Sequence, residues 1–560
     1  MKTREVKVGK VGVGGNNPIR IQSMTTTPTD NAQKTADEIM KLSDLGCEIV
    51  RVTVQGMKEA HACETIKEIL EKKGYSVPLV ADIHFYPKAA LAVADVVDKV
   101  RINPGNFVDR RSAFKTAALD ETSYNKELEK IEAGFAPLVE KCKQKKKAIR
   151  IGTNHGSLSD RILCRFGDTP RGMVESALEF ARIARKQDFH DLIFSMKASN
   201  PLVMIAAYRL LVQQMERLGW DYPLHVGVTE AGAGEDGRVK SAVGIGALLL
   251  DGIGDTLRVS LTEDPVCEIP PARHLASFAQ PFRGRLFSPF WEESQAERER
   301  RVVFPPSLSL HKGGSVLLEK EPLLRPHEMK PDLILQDQAG IFRATKEKEW
   351  EEIQSKQPQL ILFAPLHDRV ASGRRFFRYL HDQHILTPVI LDFSYTGSFE
   401  DLIIEASAEC GALLADNLGE GILLRAPHPP EKLSSLSFSI LQACRKRLTK
   451  PDFISCPGCG RTLFNLQEVA EKIRQKTAHL QGIKIAIMGC IVNGPGEMAD
   501  ADFGYVGSGK DKVDLYVKKK CVERGIDAAF AEERLIALIK KEGAWIEPRS
   551  SPQVELLTFF

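Results

Sequence analysis

The sequence lacks a strong charge of either sign, long apolar runs and an ordered cysteine spacing. Its 560 residues carry 77 Lys and Arg against 74 Asp and Glu, a formal net charge of +3. We therefore expect no nucleic-acid partner, and any attraction to an anion must be local. No stretch approaches the roughly 18 apolar residues of a membrane-spanning helix. The N-terminus has no apolar segment of the secretory kind, so we expect neither a signal peptide nor a membrane partner.

Cysteine is present, but most of the 11 cysteines follow no framework spacing. The scattered ones are Cys47, Cys63, Cys142, Cys164, Cys267, Cys410, Cys444 and Cys521. Secreted proteins stapled by disulfides show regular cysteine spacings, whereas scattered thiols are typical of a reducing compartment. The pattern therefore predicts a cytoplasmic protein.

The first half of the chain alternates between two kinds of segment. Short apolar, β-branched runs end in polar residues and are followed by helix-period segments such as 32–45 and 170–187. The eight predicted strands are 19–23, 47–54, 77–83, 99–103, 148–153, 192–196, 224–229 and 256–261. This alternation is the signature of a (β/α)8 TIM barrel, and the alternative, an open doubly wound sheet, usually has fewer strands.

We predict an α/β chain of three domains, in keeping with roughly 100–200 residues per domain. The barrel covers 1–285, a middle α/β insertion covers 305–448, and a small C-terminal unit covers 449–545, with a Pro-rich connector near 280–308. The strands predicted for the middle domain are 333–335, 360–363, 389–393, 412–414 and 422–424. The elements predicted for the C-terminal unit are a helix with Leu466, Val469, Ala470 and Ile473 on one face, strands 484–488 and 513–517, and a turn at 507–509.

Four arginines stand among apolar residues near the C-terminal ends of predicted barrel strands. They are Arg51, Arg101, Arg150 and Arg258. Strand ends of a barrel converge on one mouth, where active sites form. One such arginine is explained by a carboxylate inside the barrel; the candidates are Glu48, Asp82, Glu230 and Asp255. Because four buried guanidinium groups are costly without a common anion, we predict a phosphate or diphosphate ligand.

Other polar residues end the same strands. They are Asp82, His84, Asn154, His155, Lys197 and Glu230. A lone histidine is more often a packed core or surface residue than a catalytic one. A carboxylate among cations is either a general acid–base or a charge balance for the arginines. The residues alone leave both interpretations open.

Three cysteines near the C-terminus are spaced for soft-metal chemistry. Cys456 and Cys459 form a Cys-x-x-Cys pair on one turn, and Cys490 follows a short apolar strand in glycine-rich surroundings. Three thiolates are an incomplete ligand set, so we predict an iron–sulfur cluster with Glu497 as a weak fourth ligand. The alternatives are structural zinc with His479 as fourth ligand, and a dithiol redox pair that leaves Cys490 without a role.

Several motifs in the barrel and around the cysteines are long and specific. Those around the cysteines are Cys456-Pro457-Gly458-Cys459-Gly460-Arg461 and Met488-Gly489-Cys490-Ile491-Val492-Asn493-Gly494-Pro495-Gly496-Glu497. Those in the barrel are Gln22-Ser23-Met24-Thr25, Ala81-Asp82-Ile83-His84, Arg101-Ile102-Asn103-Pro104-Gly105-Asn106 and Arg150-Ile151-Gly152-Thr153-Asn154-His155-Gly156-Ser157-Leu158. Over roughly 5–275 and 450–525 the chain resembles the 4-hydroxy-3-methylbut-2-enyl diphosphate synthases of the non-mevalonate isoprenoid pathway.

The resemblance implies a reaction and a cofactor. The family joins a barrel to an α+β cluster domain similar to half of a sulfite/nitrite reductase. Its members convert 2-C-methyl-D-erythritol 2,4-cyclodiphosphate to 4-hydroxy-3-methylbut-2-enyl diphosphate, a two-electron reductive ring opening with loss of water. The implied ligands of a [4Fe-4S] cluster are Cys456, Cys459, Cys490 and Glu497.

The resemblance also implies roles for barrel residues. The implied diphosphate site consists of Arg51, Arg101, Arg150, Asn154, Lys197, Arg258 and Ser260. The implied neighbours of the reacting carbons are Asp82, His84 and Glu230, with Glu230 the candidate proton donor.

The middle domain resembles the insertion of the longer plant and chlamydial type. The resemblance implies flavodoxin or ferredoxin as electron donor, and a homodimer. In two-domain relatives the cluster domain closes over the barrel of the other subunit. The insertion leaves open which barrel the cluster domain reaches here. The alternative functions are a sulfite/nitrite-type reductase, which needs a fourth cysteine and a sirohaem site, and a zinc-stabilised binding protein, which gives no reason for the arginines.

Overall fold

The computed structural model of the protein describes residues 2–108, 120–285, 301–324, 329–335, 339–492, 494–498 and 500–548. Much of the predicted connector near 280–308 lies outside these residues. The chain begins with an antiparallel hairpin of β1 (Glu5–Val8) and β2 (Val11–Gly14). Val6, Val8 and Val13 of this hairpin pack beneath barrel-strand residues such as Ile49 and Ile193, so the hairpin closes the bottom of the barrel.

All eight predicted barrel strands are present and parallel. They are β3 (Arg20–Met24), β4 (Ile49–Val54), β5 (Leu79–Ile83), β6 (Lys99–Ile102), β7 (Ala148–Asn154), β8 (Leu192–Lys197), β9 (His225–Val226) and β10 (Thr256–Leu257). Their order is β8-β7-β6-β5-β4-β3-β10-β9. A parallel bridge between Phe194 and Leu224 joins the two ends of this order. The predicted TIM barrel is confirmed.

Helices surround the barrel on the outer side of its strands. They are α1 (Ala32–Asp44), α2 (Met57–Lys72), α3 (Pro87–Val93), α4 (Glu121–Lys145), α5 (Asp160–Phe166), α6 (Pro170–Lys186), α7 (Pro201–Arg217), α8 (Gly234–Leu250) and α9 (Ile269–Ala279). In α1, Thr35, Ala36, Ile39 and Leu42 are buried at helical spacing, and Asn31 caps the first turn. Short 3-10 turns at Pro265–Glu268 and Gln280–Phe282 flank α9.

A second parallel sheet follows. Its strands are β11 (Ser315–Leu318), β12 (Leu333–Ile334), β13 (Ile341–Ala344), β14 (Leu360–Phe363), β15 (Val389–Ser394) and β16 (Gly421–Arg425), in the order β12-β11-β16-β15-β14-β13. Its helices are α10 (Glu352–Lys356), α11 (Arg369–Asp382), α12 (Phe399–Ala415) and α13 (Pro430–Ala443), with a 3-10 turn at Glu347–Glu349. The strand predicted at 412–414 is wrong, because these residues end α12.

The second sheet is fixed to the barrel through α8 and α12. These helices approach closely enough that a Cβ on Gly246 would lie 2.4 Å from Ala408 Cβ. A buried network of two arginines and two aspartates reinforces the contact. Arg209 and Arg374 each bind both Asp251 and Asp416, whose side chains are 0% exposed. Loss of one member would leave a buried unpaired charge, at a cost of about 3–5 kcal/mol.

The C-terminal unit is a five-stranded sheet with three helices. Its strands are β17 (Asp452–Ser455), β18 (Lys484–Met488), β19 (Phe503–Gly509), β20 (Lys512–Val517) and β21 (Lys520–Asp527) in sequential order. Its helices are α14 (Leu466–Thr477), α15 (Gly494–Glu497) and α16 (Ala528–Lys541). The predicted strands and helix are confirmed. The turn predicted at 507–509 is wrong, because these residues end β19 at a bulge.

The three large sheets fall one in each of the predicted ranges 1–285, 305–448 and 449–545. The limits of these domains stay a prediction. Over the described residues, none of the helices has the length and apolar character needed to cross a membrane.

Candidate functional site

One cavity joins the barrel mouth to the loops that follow β17 and β18. It has about 730 Å³ of empty space, part of it open to solvent. Every predicted site residue except His84 lines it: Arg51, Asp82, Arg101, Arg150, Asn154, Lys197, Glu230, Arg258, Ser260, Cys456, Cys459, Cys490 and Glu497. Residues far apart in sequence thus meet at one place, as the convergence of barrel strand ends predicts.

Two of the four barrel arginines are paired with carboxylates. Arg101 Nη1 donates to Asp82 Oδ1 at 2.8 Å, and its Nη2 donates to Asn154 Oδ1 at 3.0 Å. Arg258 donates from Nε and Nη2 to the two oxygens of Glu268, at 3.0 and 2.9 Å. For these two, an internal carboxylate explains the burial. Glu268 was not among the carboxylates suggested by the sequence.

Three other cations have no carboxylate partner among the described residues. Arg150 is 0% exposed; its Nη1 donates to Ser195 Oγ at 2.7 Å, while its Nε and Nη2 have no partner. Arg51 donates from Nε and Nη2 to the Met24 sulfur, at 3.1 and 2.9 Å. Burial and then neighbouring arginines lower the pKa of Arg150 and Lys197 well below their usual values, and burial lowers that of Arg51 to about 10. A bound anion would relieve this repulsion.

Asp82 is held in its ionised form. Burial raises its pKa, but Arg101 and Arg51 outweigh burial and lower the pKa well below its usual value. His84 lies behind this carboxylate, with Nε2 2.8 Å from Arg101 Nη1 and Nδ1 3.0 Å from Asn106 Nδ2. Burial lowers the pKa of His84 to about 4, so its ring is neutral at physiological pH. His84 therefore supports the Asp82–Arg101 pair and does not face the cavity.

Glu230 and Glu497 meet across the cavity. Glu230 is 6% exposed and has a left-handed backbone, φ +49°, which is strained for a residue with a side chain. Burial, followed by the charge of Glu497, raises the pKa of Glu230 well above its usual value. Asn154 Nδ2 donates to Glu497 Oε1. The arrangement favours the protonated form of Glu230 at the point where the two domains touch.

The three cysteines surround the other side of the cavity. Gly489 N–H donates to Cys456 Sγ at 3.2 Å. Burial raises the pKa of the Cys456 and Cys490 thiols, so binding of a metal there displaces protons. In the described parts of the chain, no three His, Cys, Asp or Glu side chains converge as ligands of one ion. A cluster of several irons spreads its ligands more widely, and the donor set of soft thiolates and one carboxylate fits such a cluster.

His479, the zinc ligand considered from the sequence, lies elsewhere. Its ring packs edge-on against Trp545 with centroids 4.9 Å apart. It does not line the cavity that contains the cysteines. The zinc interpretation therefore loses its fourth ligand.

The C-terminal domain docks on the barrel of its own chain. Ser455, just before Cys456, forms a parallel bridge with Ala231, just after Glu230, and its carbonyl accepts from Thr262 Oγ1 at 3.0 Å. Buried Lys240 of α8 donates to Asp452 and to the Phe453 carbonyl. The two halves of the site therefore come from one chain.

Sequence reasoning missed two cations in and below the site. Arg461 lines the cavity from the C-terminal domain, and the signal for it was its place directly after the Cys-x-x-Cys pair. Lys99 is 0% exposed inside the barrel and donates to Gln22 Oε1 at 3.2 Å. Lys99 lies two residues before Arg101 on β6, so its side chain points the same way.

Comparisons with known proteins agree in both halves of the chain. The GcpE TIM-barrel domain matches residues 3–273, and the GcpE protein C-terminal domain matches 452–541. A 4-hydroxy-3-methylbut-2-en-1-yl diphosphate synthase (flavodoxin) of Protochlamydia amoebophila is 52% identical over 98% of this chain and 97% of its own length. The chloroplastic, ferredoxin-type synthase of Oryza sativa is 46% identical over 98% and 88%. The flavodoxin-type synthase of Chlamydia trachomatis is 45% identical over 98% of both chains.

Proposed function

The chain belongs to the GcpE family. We propose which part of the family's reaction takes place at the barrel mouth and which part takes place at the cysteine site. The protein is an oxidoreductase of isoprenoid biosynthesis that forms 4-hydroxy-3-methylbut-2-en-1-yl diphosphate. Neither a sulfite/nitrite-type reductase nor a zinc-stabilised binding protein is favoured.

The proposed substrate is 2-C-methyl-D-erythritol 2,4-cyclodiphosphate, held at the barrel mouth by its diphosphate. The observation that carries this proposal is Arg150, buried with two N–H-bearing nitrogens free and no carboxylate beside it. Arg51 and Lys197 add two more cations without a described carboxylate partner. Arg101, Arg258, Asn154 and Ser260 complete the diphosphate site as positioned donors.

The proposed cofactor is a [4Fe-4S] cluster held by Cys456, Cys459, Cys490 and Glu497. When bound, the cluster supplies electrons one at a time and a Lewis-acidic iron for opening the ring. The Gly489 N–H that points at Cys456 Sγ supports such a group, since backbone donors stabilise anionic sulfur.

The proton for the departing hydroxyl comes from Glu230 in this proposal. Its pKa is raised well above the usual value, which favours the protonated carboxyl, and the hydroxyl then leaves as water. Asp82, by contrast, stays ionised and holds Arg101 in place, with His84 behind it. Docking of the C-terminal domain covers the mouth and excludes bulk water, which strengthens the charge interactions inside.

The proposed electron donor is a flavodoxin or a ferredoxin, the carriers in the relatives' names. A homodimer stays a prediction. A cytoplasmic location is supported by the cysteines, none of which forms a disulfide.

A turnover assay tests the proposal. The protein, purified without oxygen, is mixed with the cyclic diphosphate and a reduced flavodoxin or ferredoxin, and the product is identified by mass spectrometry. We expect the diphosphate product from the wild type, and strongly reduced turnover from Glu230→Gln and Glu497→Ala. Absence of product from a wild-type protein that has a full complement of cluster would contradict the proposed substrate. Full turnover by Glu497→Ala would remove Glu497 from the ligand set.

A further inference from the structure

Arg461 lies between the cysteine site and the barrel mouth. Its side chain is 9% exposed, and its Nη2 donates to Asp82 Oδ2 at 3.3 Å. The other oxygen of the same carboxylate accepts from Arg101 at 2.8 Å. One barrel aspartate is thus shared by an arginine from each domain, and only when the domains are docked.

Arg461 faces the cysteines as well as Asp82. It follows Cys459 by two residues and lines the same cavity as Cys456, Cys459 and Cys490. Among the described residues that line the cavity, Arg461 is the only basic one contributed by the C-terminal domain. A charged guanidinium is therefore fixed beside the cysteines by a barrel carboxylate.

We propose that Arg461 is the counter-charge of the iron–sulfur centre, that Asp82 fixes it there, and that its positive charge raises the reduction potential of the centre. The inference rests on the proposed function, because it requires a cluster on these cysteines. Three thiolates and a carboxylate make the assembly anionic, and an added electron makes it more so. A fixed positive charge nearby favours the reduced form, and more strongly where water is excluded.

Arg461 acts by charge alone in this account. One electron enters from the carrier protein, and no bond forms or breaks at the guanidinium. Asp82 of the barrel holds the guanidinium in place beside the cysteines, which makes Arg461 a positioning residue for electron entry.

The test is a redox titration of the full chain, purified without oxygen and with its cluster bound. Arg461→Gln removes the charge, whereas Arg461→Lys keeps it. The matched control is Arg534→Gln, in the same domain but with a 60% exposed side chain paired to Glu523. Dye-mediated titration, followed by visible absorption, gives the midpoint potential of each protein.

For Arg461→Gln we expect about a tenfold fall in the reduced-to-oxidised ratio at a fixed potential, or about 59 mV for a one-electron couple. We expect a smaller fall for Arg461→Lys and no change for Arg534→Gln. A brown Arg461→Gln protein with the wild-type potential would overturn the proposal. A colourless wild-type protein would instead overturn the proposed cofactor.

A second variant covers the case in which Arg461→Gln does not retain its cluster. Arg461→Met also removes the charge, and its long apolar side chain fills more of the space that the arginine leaves. We expect Arg461→Met to show the same lowered potential. A brown Arg461→Met protein with the wild-type potential would overturn the proposal.

Discussion

Arg150 and Arg258 occupy equivalent positions near strand ends, but their surroundings differ. Arg258 has a bidentate carboxylate, Glu268, whereas Arg150 has only the Ser195 hydroxyl. A buried ion pair is balanced before any ligand arrives, but a buried lone guanidinium is not. Arg150 therefore offers its charge to the ligand, and Arg258 is largely part of the scaffold.

This difference predicts opposite effects of two matched substitutions. Arg150→Met should weaken binding of the cyclic diphosphate about 10- to 150-fold, the equivalent of about 1.5–3 kcal/mol for a charged hydrogen bond. It should lower stability only slightly, because the partner left behind is the neutral Ser195 hydroxyl and no charge is left unpaired. Arg258→Met leaves Glu268 buried without its partner and should lower stability by about 3–5 kcal/mol.

Isothermal titration calorimetry and urea unfolding of both variants check this prediction. Equal losses of stability in the two proteins would show that Arg150 is also a scaffold residue. Unchanged binding by Arg150→Met would discard its role in holding the diphosphate.

The sequence predicted which arginines reach the mouth, because strand position alone decides that. It did not predict their partners. Glu268 lies in a 3-10 turn after the last strand, and Arg461 comes from another domain; no periodic pattern connects either one to the barrel. Contacts between such distant residues depend on packing that a linear pattern does not encode.

At the scale of elements, the barrel and the C-terminal domain approach closely where the loop after β7 meets α15. A Cβ added to Gly496 in α15 would lie 1.9 Å from the Gly156 carbonyl oxygen, in the loop that follows β7. A Cβ on Gly156, where φ is +79°, would lie 2.2 Å from the Gly496 carbonyl oxygen. Only glycines allow the backbones to come this close, next to Asn154 and Glu497.

Gly496→Ala should therefore hold the two domains apart. We expect the variant to bind its cluster and to lose at least about tenfold in turnover, since a displacement near 1 Å costs up to about a hundredfold. Gly56→Ala is the control, because an added Cβ there meets only Glu59 Oε2, at 3.6 Å. Anaerobic steady-state kinetics compare the two. Wild-type turnover by Gly496→Ala would show that the contact is not needed in the reacting state.

Prediction at the element scale failed where short apolar runs were ambiguous. Residues 412–414 are apolar and are buried on α12, which packs between the second sheet and α8, so they lack the one-sided pattern of a surface helix. Residues 507–509 look like a turn because of their glycines, yet Gly507 lies in β19 beside the Gly489 carbonyl, where a side chain has no room. The barrel strands were predictable because each is followed by a clear helix.

At the scale of the whole molecule, the insertion and the barrel share a polar contact besides the buried network. His274 of α9 lies 3.0 Å from Asp401 and 3.1 Å from Glu405, both on α12. The hydrogen bond to Glu405 raises the pKa of His274 above its usual value, outweighing burial. The contact is strongest when the imidazole is protonated.

The stability of the protein should therefore depend on pH through His274. A raised folded-state pKa means that the stabilisation is fully present below the unfolded value of about 6.5 and is lost as pH rises through the folded value. Urea midpoints measured from about pH 6 to pH 9 should fall more steeply for the wild type than for His274→Gln. Parallel curves for the two proteins would show that His274 carries no such linkage.

Docking of the C-terminal domain on its own barrel was not predictable from the sequence. It depends on the Lys240–Asp452 pair, the Thr262–Ser455 contact and the position of the insertion between the two parts. The outcome is a site in which cluster ligands, cations and the candidate proton donor come from a single chain.

The most direct test of this account is the iron and acid-labile sulfide content of the protein, purified without oxygen, with Cys490→Ser as the control. The account predicts a brown protein with about four irons and four sulfides per chain, and a marked loss of both in the control. A colourless wild-type protein with one zinc per chain would contradict it. The cysteines would then have a structural role, and no reducing group would lie beside the cations of the barrel mouth.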